Sequence, residues 1–380
     1  MSVQAIKDQI PTSPAFVLDE NGFLDTLDIL SGLRQQSGCK LLYSIKSLPL
    51  STVLDTARLT VDGFAVSSLF EAQLADEALA GRGSIHLTTP GIRPDEINAI
   101  AGLCTHISFN SLTQHQRFAP RIEKLVSAGL RVNPKLSFLN DDRFNPCRKY
   151  SKLGVDMDVL WQSSVLDEVQ GLHIHNVFSA TDYTPLIKTL EKLTLYLGDK
   201  LAKLDWLNLG GGYLLAQMHD HRPFIAAIDR LKSQYALDVY IEPGKAVVDR
   251  CGYLLTTVID SFASDGKTIA VLDTSVNHHP EVFEYQRQPA LHEHDPRGAY
   301  QAILAGSTCL AGDVFGEYRF AKPLQCGDRL VFTHLGAYSL VKANRFNGYN
   351  LPDIYLYNAA RIKRLKHYTY QDYRRQWLAD

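Results

Sequence analysis

The 380-residue chain lacks several features that would assign whole classes of function. It has no apolar run near the roughly 18 residues that would span a bilayer, no internal repeat and no low-complexity tract. Its 39 Lys and Arg against 41 Asp and Glu leave a formal net charge of −2, with no block of like charge. That balance excludes a broad electrostatic attraction to nucleic acid or to an anionic membrane. Cysteine is sparse. Cys39, Cys104, Cys147, Cys251, Cys309 and Cys326 are spread along the chain, with no pair at metal-finger spacing and no disulfide-scaffold density. The opening MSVQAIKDQIPTSP has no apolar core of a signal peptide. Reduced thiols and a start of this kind predict a cytoplasmic protein.

What is present is alternation. Eight short apolar runs, LLYSI (41–45), GFAVS (63–67), SIHLT (84–88), HISFN (106–110), LRVNP (130–134), GLHIH (171–175), WLNLG (206–210) and VYIEP (239–243), read as strands. Segments of helical periodicity lie between them, such as 68–80 and 112–128. Eight β-then-α units predict an α/β fold, a (β/α)8 TIM-like barrel with its active site at the strand C-termini. No GxGxxG follows the first strand, which weakens the doubly wound alternative. Beyond Val247 the helices vanish, and YLLTTVIDSF, KTIAVLDTSV, YQAILAG, DRLVFTHLGAYSLV and DIYLYNA read as a C-terminal all-β domain. The expected division is a barrel over 20–246 and a β domain of 1–19 plus 247–380, in which the early strand AFVLD (15–19) joins the C-terminal strands. The polar, irregular stretch 134–154 follows the fifth strand, where an active-site loop belongs.

Chemistry-bearing residues gather at the predicted strand ends. Lys46, in LLYSIKSLP, emerges from the first run. A lone lysine there would ordinarily be a snorkelling surface group. In a crowded, partly apolar mouth it can lose its proton and condense with an aldehyde. Gly210, Gly211 and Gly212 follow the seventh run, the usual phosphate position in this barrel, and otherwise form a tight turn. Glu242 ends the eighth run in EPG, either as an acid beside a ring nitrogen or as a strand-end cap. His173 and His175 share one strand face, which would suit a metal if a third ligand were at hand. Against a ring cofactor, His175 stacks on it and His173 packs in a deeper layer. Cys309, in GSTCLAGD, is a proton donor or an inert small hydrophobe. Tyr338, in GAYSLVKANRFNG, can reach a phosphate.

Taken in order, YSIKSL, GLHIHN, NLGGG, EPG, GSTCLAGD and GAYSLVKANRFNG resemble the fold-type III decarboxylases that use pyridoxal 5'-phosphate, relatives of alanine racemase. The chain is most similar to the carboxynorspermidine/carboxyspermidine decarboxylase family, and SKLGV (151–155) and LDTSVNHHPEV (272–282) extend the likeness over nearly its whole length. The resemblance implies a homodimer with shared active sites. In it Cys309 and Asp313 reach a neighbouring subunit that holds the cofactor through Lys46, His175, Gly211 and Glu242, with Tyr338 also serving the site.

The departures bear on substrate. After EPG the family pattern continues with an acid, where this chain has Lys245. After the HxHN segment it tends to an acid, where this chain has Ser179. Glu281 keeps a third acidic position. Acids there would pair with the ammonium groups of a polyamine tail. Lys245 therefore either selects a less cationic substrate or turns outward, or pairs with Glu281 and leaves the family activity intact. A racemase is the second enzymatic class on this fold. It favours a basic partner at the ring nitrogen, so Glu242 and Cys309 argue for decarboxylation. A non-catalytic cofactor carrier would lack the C-terminal segments.

Overall fold

A computed structural model describes residues 3–122, 126–358 and 361–379. Contacts divide the chain into two units, Thr26–Val247 and Met1–Asp25 with Val248–Asp380. Strands are numbered along the chain from β1 (Ala15–Asp19), which belongs to the second unit.

The first unit is the eight-stranded barrel. Its strands are β2 (Lys40–Ser44), β3 (Gly63–Val66), β4 (Ser84–Thr89), β5 (His106–Phe109), β6 (Ser127–Asn133), β8 (Gly171–Ile174), β9 (Trp206–Asn208) and β10 (Asp238–Ile241), with a two-residue β7 (Val155–Asp156) beside β6. All pair in parallel, and the β10–β2 pairing closes the ring. Near-continuous apolar runs suit strands covered on both faces. Leu42, Ala65, Trp206 and Tyr240 form a cluster in this unit. Here Gly171 is obligatory, because a Cβ would lie 2.0 Å from the Trp206 indole.

The eight runs read from sequence all become strands. The helix expected over 68–80 forms as Leu69–Leu79, with the Ser68 side chain capping Glu71 N–H. The helix expected over 112–128 stops at Phe118 and continues only as one 3-10 turn, Ala119–Arg121. Pro120 cannot donate the next backbone bond, and Ser127 and Ala128, read as helix, open β6 instead. Residues 123–125 of that expectation lie outside the described residues. So do Ala359, which ends the DIYLYNA run, and Met1, Ser2 and Asp380 of the β domain.

The second unit is a mostly antiparallel sheet of β11 (Gly252–Ser264), β12 (Lys267–Leu272), β13 (Tyr300–Ala305), β14 (Val314–Phe320), β15 (Arg329–Thr333), β16 (Asp353–Asn358) and β17 (Arg361–Lys366), with β1 between β11 and β16. Leu254 enters one buried cluster with Phe315 and Phe332. Its neighbour Leu255 enters another with Ile6 and Val17. Both faces of the first half of β11 are therefore buried, as the two-residue period requires. The result is the alanine racemase-like architecture expected from the sequence.

Candidate active site

Lys46, His173, His175, Arg131 and Glu242 line one cavity of about 270 Å³ at the C-terminal ends of the barrel strands. They come from four strands, Lys46 after β2, Arg131 in β6, His173 and His175 in and just after β8, and Glu242 after β10, because parallel pairing brings the C-termini of the strands to one rim. Lys46 sits in a single 3-10 turn, Ile45–Ser47, directly after β2. Its side chain is open to solvent within the cavity, yet protein atoms ring it. That crowding lowers the ammonium pKa, with Glu242 opposing and the Arg131 cation assisting.

Glu242 is buried and fully engaged. Oε1 accepts from Asn208 Nδ2 at 2.7 Å, and Oε2 lies 3.3 Å from His173 Nε2. Burial alone would raise this carboxyl. His173 and Lys46 outweigh it and hold the group well below the usual carboxylate range, so the acid stays ionised. Burial lowers the His173 pKa against the pull of Glu242, and the contact with an ionised carboxylate places a proton on its Nε2. His173 Nδ1 finds no hydrogen-bond partner among the described residues. His173 is buried, as expected of a deeper layer, and it also meets the site acid, a contact that strand periodicity did not reveal.

Burial, with Lys46 nearby, also holds His175 well below its ordinary pKa. Its Nδ1 accepts the Gly211 N–H at 3.0 Å. Gly210 N–H goes to Asn208 Oδ1 at 2.9 Å. Two of the three glycine N–H groups expected at a phosphate are therefore spent inside the barrel. Close approach explains the triplet: a Cβ at Gly211 would lie 2.3 Å from the Glu242 carbonyl oxygen, and Gly210 and Gly212 have φ of +64° and +95°.

Arg131 escaped the sequence reading. It lies inside the LRVNP run, is buried and donates to the His175 carbonyl at 3.3 Å. Burial lowers its pKa to about 10. A charged residue inside an otherwise apolar barrel strand was the available signal.

Lys245 opens a short helix, Lys245–Val248, and its Nζ stands 5.6 Å from the Phe178 ring. Phe178 in turn stacks on Phe144 of the 134–154 loop. Ser179 adopts φ +54°, and its buried hydroxyl has no partner among the described residues.

In the sheet unit, Glu281 begins a short helix, Glu281–Tyr285, and lies 3.7 Å from Lys342 Nζ, which also binds Glu284. Cys309 is exposed, with its backbone N–H on Asn347 Oδ1 at 2.8 Å. Asp313 is buried. Its Oδ1 accepts from Val276 N–H at 2.8 Å, and its Oδ2 accepts from the Thr308 N–H at 3.0 Å and from the Thr308 hydroxyl. A carboxylate so occupied holds its own loop. Tyr338 is half-buried at φ +59°, and the adjacent Ser339 hydroxyl meets His279 Nδ1 at 2.8 Å.

Comparison with known proteins bears on this geometry. The family model described as "Pyridoxal-dependent decarboxylase, C-terminal sheet domain" matches residues 245–336. The chain is 36% identical to carboxyaminopropylagmatine decarboxylase of Synechocystis sp. over 95% of its length and 94% of the relative's. It is 32% identical to carboxynorspermidine/carboxyspermidine decarboxylase of Herminiimonas arsenicoxydans, covering 95% and 98% of the two chains. Among solved structures, carboxynorspermidine decarboxylase of Campylobacter jejuni, complexed with norspermidine, superposes with a TM-score of 0.87 at 29% identity, covering 96% of this chain and all of that one. Diaminopimelate decarboxylase of Helicobacter pylori, at 19% identity and a TM-score of 0.81, shares the fold. A barrel cavity lined by lysine, histidine and ionised glutamate, with relatives matched end to end, settles the assignment: the chain belongs to the carboxynorspermidine/carboxyspermidine decarboxylase family of pyridoxal-dependent decarboxylases.

Proposed function

We propose that this decarboxylase holds pyridoxal 5'-phosphate on Lys46 and removes the α-carboxylate of a carboxylated polyamine, acting in the cytoplasm as a homodimer with shared sites. One observation carries the reading: Lys46, His175 and Glu242 line a single cavity. The donor set suits the cofactor, with an amine for the aldehyde, an imidazole for the ring face and a carboxylate for the ring nitrogen. Bound there, the cofactor would supply a ring able to accept the electron pair left on the α-carbon when CO2 departs.

The chain's own residues do the rest. Glu242 keeps a proton at the pyridine nitrogen, a task that requires an ionised carboxylate, and His173 with Asn208 holds it ionised and aimed. His175 presents its ring face, its rotation limited by the Gly211 N–H. The Lys46 amine, with its lowered pKa, exchanges with the substrate amine more readily than an ordinary lysine. Cys309, supplied by the second subunit, returns a proton to the α-carbon. Gly212 and Tyr338 are assigned to the phosphate end.

The test is to load the protein with pyridoxal 5'-phosphate and offer carboxynorspermidine, carboxyspermidine, carboxyaminopropylagmatine, and basic and acidic amino acids. CO2 is followed by mass spectrometry. Release from a carboxylated polyamine is expected; release from none of the panel overturns the reading. The visible absorbance of the lysine-bound aldehyde should vanish in Lys46→Ala, and its survival would move the attachment elsewhere.

A second reading has its own support. Lys342 already pairs with Glu281 and Glu284, offsetting part of their charge, and Lys245 stands where the family pattern has an acid. Both weaken attraction for a cationic tail and favour a substrate less cationic at its distal end. If wild type turns over carboxynorspermidine fast and Lys245→Glu is no better, this second reading fails.

A further inference from the structure

Three chain segments of the sheet unit converge on the loop that carries Cys309. The loop closes on itself, with Gly306 N–H on the Asp313 carbonyl at 2.8 Å and Asp313 N–H on the Leu310 carbonyl at 2.9 Å. Inside it the Asp313 carboxylate ties Thr308, directly before Cys309, to Val276 of the neighbouring turn. The fit is tight: a Cβ on Gly306 would lie 2.2 Å from Asp313 Oδ1. This anchors one side of Cys309.

The other side is held from Asn347, 38 residues away in sequence. Its side-chain oxygen accepts the Cys309 N–H at 2.8 Å. Asn347 adopts φ +56°, and its segment is braced in turn, with Asn344 N–H on the Asn277 carbonyl at 3.0 Å. Asparagine is among the few residues that tolerate this backbone region and still offer an amide oxygen. The exposed thiol therefore rides on a backbone pinned at both flanks. Neither anchor touches the sulfur.

We propose that Asn347 is a positioning residue for the reaction: its amide, opposite the Asp313 anchor, fixes where the Cys309 thiol delivers its proton. The proposal rests on Cys309 being the proton donor, so the experiment separates the two. Asn347→Gly is the discriminating variant, because glycine keeps the left-handed turn at no steric cost and removes only the acceptor. Asn347→Asp keeps an acceptor oxygen at the same place.

All variants are compared as loaded enzyme in a Cys326→Ser background. Cys326 is the other exposed cysteine, and the remaining four are buried. Asn347→Gly should lower kcat about 10–100-fold, the cost of a misplaced reacting group, with KM within about twofold of the parent because uniform binding is untouched. Iodoacetamide labelling of Cys309, read by peptide mass spectrometry, should change in rate. Asn347→Asp should recover most of kcat, and its added carboxylate should move the labelling profile to higher pH. A parental kcat and labelling rate in Asn347→Gly, in an enzyme that Cys309→Ala cripples, overturns the positioning role. An unchanged rate and product in Cys309→Ala removes the donor itself, and the proposal with it.

Discussion

The two ends of the barrel bury histidines to opposite effect. At the C-terminal rim His173 and His175 stand among charged groups, Lys46, Arg131 and Glu242, and hydrogen-bond to the acid and to the glycine turn. At the N-terminal ends of the strands, His86 and His106 stack on each other with centroids 3.8 Å apart and rings within 9° of parallel. Register pairs them directly across β4 and β5. Tyr240 leans on His86 at 4.5 Å, and Trp206 closes on His106 at 5.4 Å. Burial depresses both imidazoles, His106 to about 4, so this end is a neutral aromatic plug. The residue type does not decide the role. What decides it is whether the surroundings can stabilise a buried charge, and at the rim Asn208 and His173 meet a buried, ionised carboxylate.

The sharpest break of that comparison is Glu242→Gln. The amide keeps the shape and the Asn208 contact, but it cannot hold a proton on a ring nitrogen. Turnover should fall about 10²–10³-fold, comparable to the loss of one preorganised electrostatic partner. The melting temperature should move far less than the rate. Equal losses in both would make Glu242 a strand-end brace and nothing more.

The plug should behave in reverse. Trp206→Ala removes a buried indole and should cost about 3–5 kcal/mol of stability, read by chemical denaturation. The kcat of the fraction still folded should stay near the parent. A selective loss of kcat would show that the two ends communicate.

How much of this was legible in the sequence follows the same division. Lys46, His175 and Glu242 could be read because each directly follows an apolar run, and strand ends of a parallel barrel meet at one rim. His173 and Arg131 could not. Both lie inside strands, where periodicity names a face but says nothing of what lies opposite across the barrel. The glycine triplet was read for its backbone donors. Its actual constraint, 2.3 Å to the Glu242 carbonyl, comes from a strand some thirty residues on. Likewise, no local pattern joins Asn347 to Cys309. The early stop at Phe118 of the helix expected over 112–128 follows from Pro120, which apolar periodicity does not register.

Acid should also separate the two ends. His86 and His106 have folded pKa values below their ordinary value, so the unfolded chain binds protons that the folded chain refuses. Their contribution to stability is therefore complete above about pH 6.5 and erodes toward about pH 4, by on the order of 1 kcal/mol per pH unit for each strongly shifted group. His106→Phe keeps a ring in the stack and removes one titration. Its melting temperature should fall less steeply between those limits, and an unchanged slope would place the acid sensitivity elsewhere.

The smallest effect should come from the cation beside the plug. Lys40 Nζ lies 2.6 Å from Asp238 and 3.3 Å from the Tyr240 hydroxyl. It is also within 5.1 Å of the Tyr240 ring centroid. On distance alone this contact is closer than the hydrogen bond between His173 and Glu242, yet both of its side chains are exposed. Water screens such a pair, and ordering two exposed side chains offsets much of the attraction, so Lys40→Met should cost within about 1 kcal/mol. The methionine stem can still cover Tyr240, which keeps the packing part of the contact. A loss of several kcal/mol, read by urea denaturation, would mean that the plug depends on charge after all. The contrast between a neutral end and an ionised end would then have to be redrawn around Lys40.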